Sequence, residues 1–153
     1  MSNLSDFMNR PVSDIMTTKI KALIPSDKLE KVKELFDNND IHHIPVVRYK
    51  ELVGIISQSD FEKAIHGARL HGEAQAEADN KELLSKYTVA DLMTTKVVHI
   101  APDAKIGVAA ELLLINYFHA LPIVSEENEL VGIVSSHDVL KAIYKKAYPS
   151  EDI

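Results

Sequence analysis

The chain has 153 residues, of which 46% are hydrophobic and 26% are charged, with a formal net charge of −6 and no cysteine. This is the composition of a soluble globular protein, and the lack of cysteine excludes disulfides and thiolate chemistry, as expected of a cytoplasmic protein. The acidic charge argues against nucleic-acid binding, and no window approaches the roughly 18 apolar residues of a membrane span. We therefore expect neither nucleic acid nor a membrane as a partner.

The chain is one sequence unit written twice. The segment Val-Ser-Asp-Ile-Met-Thr-Thr-Lys from Val12 returns from Val89 as Val-Ala-Asp-Leu-Met-Thr-Thr-Lys, a shift of 77 positions. The segment Val-Gly-Ile-Ile-Ser-Gln-Ser-Asp from Val53 returns from Val131 as Val-Gly-Ile-Val-Ser-Ser-His-Asp, a shift of 78 positions. Such self-similarity indicates a duplicated supersecondary unit. We assign a first repeat with an N-terminal arm to residues 1–68, a polar helical connector to 69–87, a second repeat to 88–148 and a tail to 149–153.

The first elements of the first repeat are predicted to be a strand and a helix. A strand-like run over residues 19–24 leads into Pro-Ser-Asp, which is a good helix start with Ser26 or Asp27 as the N-cap. Apolar residues then recur at helical spacing over residues 29–36. This spacing predicts one helix with a single apolar stripe.

The remaining elements complete the first repeat and then recur. A polar turn over residues 48–51 separates two short apolar runs and predicts a hairpin, and a helix follows from about residue 59. The second repeat has a strand over 97–100, a helix, a hairpin and a last helix from about His137. Each repeat thus reads β-α-β-β-α, which is a mixed α/β (α+β) fold. Residues 70–80 lack an apolar stripe, so we expect them to be the least ordered part of the chain.

Each repeat holds a glycine, a serine and an aspartate in register. They are Gly54, Ser57 and Asp60 in the first repeat and Gly132, Ser135 and Asp138 in the second. Each aspartate either binds a ligand or serves the first turn of its helix, where the dipole favours an anion. Ser59 and Glu62 make a capping box in the first repeat alone, so capping does not explain why the trio recurs. Glycine inside a strand marks close approach of a backbone or ligand, or close packing of two sheets.

Metal and catalytic sites are not expected. His42 and His43 are adjacent on an extended segment and point to opposite faces, so they cannot readily chelate one ion. The sequence contains no Gly-x-Ser-x-Gly nucleophile elbow and no phosphate-binding P-loop. We therefore predict no metal, no required cofactor and no enzymatic activity.

The ordered signatures resemble those of a tandem pair of CBS domains, a Bateman module. In both repeats Asp-hydrophobic-Met-Thr comes first, His-x-hydrophobic-Pro-hydrophobic-Val follows, and Gly-x-x-Ser-x-x-Asp comes last. The resemblance runs from about Val12 to about Ala147. It implies two repeats packed sheet to sheet with pseudo-twofold symmetry and two related clefts. Such clefts commonly hold adenosine compounds such as AMP, ADP, ATP or S-adenosylmethionine.

The same resemblance implies a regulatory role and an assembly. The implied assembly is a homodimer of pairs that forms a flat disc of four copies. Because the pair takes up nearly all of the chain, the ligand signal would pass to a separate effector protein. A rival interpretation is a structural association module that binds no nucleotide.

The resemblance also nominates ligand-binding residues. Asp60 and Asp138 would bind the ribose. The residues close to the ribose or phosphate would be Ser57, Ser59, Ser135 and His137. The residues at the edge of the adenine pocket would be His42, His43, His119 and Ala120. The residues at the cleft mouth would be Thr17, Thr18, Lys19, Thr94, Thr95 and Lys96.

One nominated residue distinguishes the two repeats. His137 replaces Ser59, and we expect it to contact a ligand phosphate when protonated, so that affinity falls as the pH rises. The alternative is a histidine at a helix start that faces solvent. Lys19 and Lys96 are further candidates for a phosphate, although surface lysines are often simply solvated.

Overall fold

The computed structural model describes residues 3–66, 81–116 and 119–151. The chain divides into two compact units. We call Lys21–Val97 the continuous unit, and Met1–Ile20 with Val98–Ile153 the split unit. Each unit thus contains the hairpin of one sequence repeat and the Asp-hydrophobic-Met-Thr segment that introduces the other repeat.

The elements follow the predicted order in both repeats. In chain order the described helices are α1 (Leu4–Met8), α2 (Leu29–Asn38), α3 (Gln58–His66), α4 (Val89–Leu92), α5 (Ile106–Ile115) and α6 (Ser136–Ala147), with a 3-10 turn over Val12–Asp14. The strands are β1 (His43–Arg48), β2 (Glu51–Ser57), β3 (Ala120–Val124) and β4 (Leu130–Ser135). Residues 81–86 are also helical, whereas residues 69–80 of the predicted connector lie outside the described residues.

Each unit is built on one antiparallel hairpin. In the continuous unit β1 pairs with β2, and a bulge lies between Val46 and Val47. In the split unit β3 pairs with β4, and the bulge falls between Ile123 and Val124. The hairpins were predicted from their apolar runs, and the structure confirms them. Because helices accompany each hairpin, the predicted mixed α/β fold is confirmed as well.

The core of each unit draws on both sequence repeats. Val89, from the start of the second repeat, is fully buried in the continuous unit among residues such as Val32 and Ile56. Val12, from the start of the first repeat, is fully buried in the split unit with residues such as Leu121. The segments that introduce the repeats are therefore exchanged between the two compact units.

The predicted first strand of each repeat is reduced to a single bridge, so these two predictions are wrong in extent. Leu23 pairs in parallel with Val46, and Ile100 pairs in the same way with Ile123. Prolines follow two residues later, at Pro25 and Pro102. A proline has no N–H to continue a ladder, so neither bridge extends into a strand.

The predicted helix cap is also wrong. Helix α2 begins at Leu29 with Lys28 at the N-cap position, and no side chain caps it. Asp27 instead accepts a hydrogen bond from the backbone N–H of Ile24 at 2.8 Å. The Asp27 carboxylate therefore closes the turn that precedes the helix. This local hydrogen bond competes with the bond that a capping side chain would make.

Candidate ligand-binding sites

The repeated Asp-hydrophobic-Met-Thr segment adds a pairing partner to each hairpin. In the continuous unit Thr94 exchanges two backbone hydrogen bonds with Ile55 of β2, at 3.0 and 2.9 Å. In the split unit Thr17 does the same with Ile133 of β4, at 2.8 and 3.0 Å. The predicted cleft-mouth residues that begin at Thr17 and Thr94 are thereby fixed beside the strands that lead to the aspartates.

The same segments explain the glycines in the strands. A Cβ on Gly54 would lie 2.6 Å from the sulfur of Met93 and 3.1 Å from the carbonyl oxygen of Thr94. A Cβ on Gly132 would lie 2.9 Å from Cγ of Met16 and would also collide with its sulfur. The close approach is thus made by a methionine inside each unit, and at Gly54 also by a backbone oxygen.

The first aspartate lies where β2 passes directly into α3. The Ser57 hydroxyl accepts a hydrogen bond from the backbone N–H of Asp60 at 3.0 Å, so Ser57 caps the helix. Helix α3 begins at Gln58, which puts Ser59 inside its first turn. The predicted capping box of Ser59 with Glu62 is therefore wrong, because its serine is two residues too late in the chain.

The second aspartate takes part in a complete capping box. The Ser135 hydroxyl accepts from the backbone N–H of Asp138 at 3.0 Å, and the Asp138 carboxylate accepts from the N–H of Ser135 at 2.9 Å. A capping serine thus precedes the aspartate by three residues in both repeats. This corrects the sequence argument that capping does not explain why serine and aspartate recur.

The two carboxylates differ in what they bind. Asp60 and Asp138 are both half-buried. Within the described ranges, no group of the chain donates a hydrogen bond to the Asp60 carboxylate, whereas Asp138 accepts one from Ser135. The Asp60 carboxylate lies in the first turn of α3, where the helix dipole favours its negative charge. Its two oxygens can accept hydrogen bonds from a ligand.

Eight of the predicted residues belong to the continuous unit. The backbone carbonyl of His42 accepts a hydrogen bond from the N–H of Gln58 at 2.8 Å, and His43 pairs with Ser57 across the hairpin. This end of the hairpin therefore brings the histidine pair beside the Ser57 and Asp60 junction. The eight residues are His42, His43, Ser57, Ser59, Asp60, Thr94, Thr95 and Lys96.

The other eight belong to the split unit. The backbone carbonyl of His119 accepts from the N–H of Ser136 at 3.2 Å, and Ala120 pairs with Ser135. His137 is exposed in the first turn of α6. The eight residues are Thr17, Thr18, Lys19, His119, Ala120, Ser135, His137 and Asp138. Each group thus combines a Thr-Thr-Lys segment from one sequence repeat with the aspartate of the other.

Gln58 was missed by the sequence reasoning. Its amide oxygen lies 2.7 Å from Nδ1 of His42, and this pair links the chain before β1 to the first turn of α3. The signal for it was its place inside the Gly-x-x-Ser-x-x-Asp signature, where the second repeat has Ser136. The Ser136 hydroxyl instead donates to the backbone carbonyl of His119 at 3.5 Å.

Within residues 3–66, 81–116 and 119–151, no three histidine or carboxylate side chains are grouped as a metal ion requires. None of the helices described is long and apolar enough to cross a membrane.

Comparison with known proteins identifies the sequence signatures. The model of the CBS domain family matches the chain twice, at residues 12–67 and 89–145. An uncharacterized protein of Methanocaldococcus jannaschii is 33% identical over 152 aligned residues, which cover 86% of this chain and 90% of that protein. The crystal structure of the CBS-pair protein CBSX2 of Arabidopsis thaliana in complex with AMP is 26% identical, with a TM-score of 0.74. That match covers 90% of this chain and 98% of the other.

Other relatives are longer than this chain. Two further proteins of Methanocaldococcus jannaschii are covered over 47% and 48% of their length. A homoserine O-acetyltransferase of Methanococcoides burtonii is 28% identical over 86% of this chain, but the match spans 24% of the enzyme. The chain thus corresponds to about a quarter of that enzyme.

Proposed function

The chain belongs to the CBS domain family, of which it carries two tandem copies, and on this basis we propose that it is a sensor of adenosine compounds. The observation that carries the proposal is the half-buried Asp60 carboxylate at the junction of β2 and α3, which no described group of the chain engages. The AMP complex of a CBS-pair protein with 26% identity supports the choice of ligand class.

The chemistry of Asp60 fits a ribose. An ionised carboxylate can accept hydrogen bonds from two vicinal hydroxyls at once, and a ribose presents such a diol. Each charge-assisted hydrogen bond contributes about 1.5–3 kcal/mol. The Asp60 backbone N–H donates a capping hydrogen bond to the Ser57 hydroxyl. This bond fixes Asp60 at the start of the helix and leaves its carboxylate out of the cap.

A phosphorylated ligand needs positive charge as well. Lys19 and His137 belong to the group of predicted residues in the split unit, and Lys96 belongs to the group in the continuous unit. All three side chains are exposed. We assign His137 to a ligand phosphate, so His137→Ser should weaken the binding of AMP at this site more than the binding of adenosine. Equal losses for the two compounds would remove the role.

The proposed role is regulatory and not enzymatic. The ligand shifts the protein between two arrangements, which requires that it bind one of them better than the other. The changed arrangement is recognised by a separate effector protein. We also propose that the protein acts as a homodimer in the cytoplasm, a location consistent with its cysteine-free sequence.

One observation favours the rival role of a structural association module. The capping box of Ser135 and Asp138 gives the second aspartate a structural task that needs no ligand. If both aspartates serve only their helices, the sites stay empty and the pair is a scaffold.

Calorimetry and thermal unfolding of the full chain with AMP, ADP, ATP and S-adenosylmethionine separate these roles. We expect at least one compound to bind and to raise the Tm, since a ligand specific for the folded state must stabilise it. Loss of two charge-assisted hydrogen bonds in Asp60→Ala weakens binding by roughly 100-fold or more. Asp40→Ala, which removes an exposed acid elsewhere in the same unit, is the matched control. If none of the four compounds binds, the result supports the rival role of a structural association module.

A further inference from the structure

The hairpin of the continuous unit ends in a turn that its own residues disfavour. Strand β1 ends at Arg48 and β2 begins at Glu51, so Tyr49 and Lys50 alone make the turn. Their φ angles are 49° and 72°. Two successive residues with positive φ are typical of a type I′ turn, in which Asn and Gly are strongly preferred. A bulky side chain destabilises this conformation, so the chain keeps Tyr49 and Lys50 here at a cost in stability.

The side chains of this turn are exposed. Tyr49 is 95% exposed, more than any other large hydrophobic side chain in the described ranges. Arg48 and Lys50, on either side of it, are exposed as well. Arg48 faces Glu51 across the ladder, yet within the described ranges neither Arg48 nor Lys50 takes part in a salt bridge. We call Arg48, Tyr49 and Lys50 the basic tip.

The duplication provides an internal control for the basic tip. The hairpin of the split unit turns over residues 125–129, and no residue of that turn is basic. Its exposed acids are Glu126, Glu127 and Glu129. Asn128 has the positive φ, at 63°, and asparagine tolerates this conformation better than most residues. The repeat fold therefore requires neither an aromatic residue nor a cation at this turn, and the folding of the hairpin does not account for the basic tip.

The shape and charge of the basic tip favour a protein as its partner. Small-molecule sites are concave, whereas a two-residue turn is convex and cannot enclose a ligand. Nucleic acids and anionic membranes attract broadly basic surfaces, but this chain has a net charge of −6. A short acidic segment of another protein needs positive charge only at the place where it docks.

We propose that the basic tip binds an acidic segment of a separate protein. The guanidinium of Arg48 can hold a carboxylate through two parallel hydrogen bonds, and the ammonium of Lys50 can pair with a second carboxylate. The Tyr49 ring offers apolar surface between the two cations. Tyrosine and arginine are also among the residues that most often carry the binding energy of a protein interface.

This inference rests on the proposed function only in taking the acidic protein to be the effector. The basic tip contains none of the predicted ligand-binding residues. Its binding of an acidic segment therefore does not require an adenosine compound.

Fluorescence anisotropy with a labelled peptide of glutamate and leucine residues tests the proposal on the full chain without nucleotide. We expect the peptide to bind, and the double variant Arg48→Gln with Lys50→Gln to raise its dissociation constant by roughly tenfold or more. The matched control is Lys21→Gln with Lys63→Gln, which removes the same charge from exposed positions of the same unit. The control should bind the peptide as the wild type does, because its basic tip is intact.

An exchange of the turn tests whether Tyr49 and Lys50 are kept for binding. Tyr49→Asn with Lys50→Gly supplies the residues that a type I′ turn prefers. This variant should unfold at a higher urea concentration than the wild type and bind the peptide more weakly. A lower urea midpoint would mean that Tyr49 and Lys50 serve the hairpin itself.

Three further results would overturn the proposal. One is a wild type that does not bind the peptide at millimolar concentration. Another is an equal loss of binding in the matched control, which would show that only the net charge of the chain matters. The third is tighter binding of a single-stranded oligonucleotide that the Arg48 and Lys50 variant loses, which would assign the basic tip to nucleic acid. Because these measurements need no adenosine compound, failure of the proposed ligand sites would not affect them.

Discussion

At the scale of single residues, the two aspartates have different tasks. The sequence presents Asp60 and Asp138 as equivalent, because the same serine and glycine precede them. In the structure Asp138 accepts a hydrogen bond from the backbone of Ser135, and Asp60 accepts none within the described ranges. The capping task thus falls more heavily on Asp138, and ligand binding is proposed chiefly for Asp60.

This difference predicts unequal effects on stability without ligand. Asp138→Ala removes a capping hydrogen bond and should lower the free energy of unfolding by about 1 kcal/mol. Asp60→Ala removes only the favourable interaction with the helix dipole, about 0.3–1 kcal/mol, and should cost less. Urea unfolding of both variants measures the two costs. A larger loss in Asp60→Ala would mean that its carboxylate has a structural partner.

The two glycines inside the strands allow a prediction about the cost of an added methyl group. Gly132→Ala pushes a methyl group into the Met16 side chain, and such overpacking costs about 1–3 kcal/mol. Met16→Ala in the same chain should recover most of this cost, because it removes the two methionine atoms, Sδ and Cγ, that lie closest to the new methyl group. In the first repeat Met93→Ala should recover less of the cost of Gly54→Ala, since the Thr94 carbonyl oxygen also stands in the way.

Double-mutant cycles at the two glycines measure this recovery from urea unfolding. An equal recovery in both repeats would show that the Thr94 oxygen moves aside freely. No recovery in either would mean that the glycines are required for a reason other than the methionines.

At the scale of elements, each hairpin depends on a segment that is far away in the sequence. Thr94 pairs with β2, and Val89 is buried in the core of the continuous unit. In the split unit, Thr17 and Val12 do the same for the hairpin of the second repeat. The sequence repeat is therefore not the unit that buries its own core.

Fragments of the chain test this exchange. A fragment of residues 21–97 keeps every buried member of its core and should unfold cooperatively on heating. A fragment of residues 12–68 matches the first sequence repeat but lacks Val89 and Thr94, so it leaves the edge of β2 unpaired. It should show no cooperative transition by circular dichroism. The reverse result would mean that the repeat and not the compact unit is the folding unit.

At the scale of the whole molecule, charge opposes association. Two copies of the proposed homodimer each carry a net charge of −6 and repel each other. The Debye length falls from about 10 Å at 0.1 M salt to about 3 Å at 1 M, so added salt screens the repulsion. The dissociation constant of the dimer should therefore fall as sodium chloride is raised across this range, measured by sedimentation. A dimer that weakens with salt would instead be held by ion pairs.

The sequence by itself determined the duplication, the order of elements, the hairpins and the family. These follow from local spacing and from signatures that recur at a fixed shift. It also named the serine and aspartate of each junction, although it placed the helix caps wrongly, at Ser26 or Asp27 in one case and at Ser59 in the other. Those errors have one cause, since several polar residues near a helix start can cap it and only the backbone path selects one.

Only the tertiary structure decided which segments belong together. The sequence gives no reason why Met93 and Thr94 should pack on the hairpin of the first repeat and Met16 and Thr17 on that of the second. Both pairs could fit either hairpin, because the two introducing segments are nearly the same in sequence. The choice depends on how the chain crosses between the compact units, at Ile20–Lys21 and at Val97–Val98, which is a long-range property that local patterns do not carry.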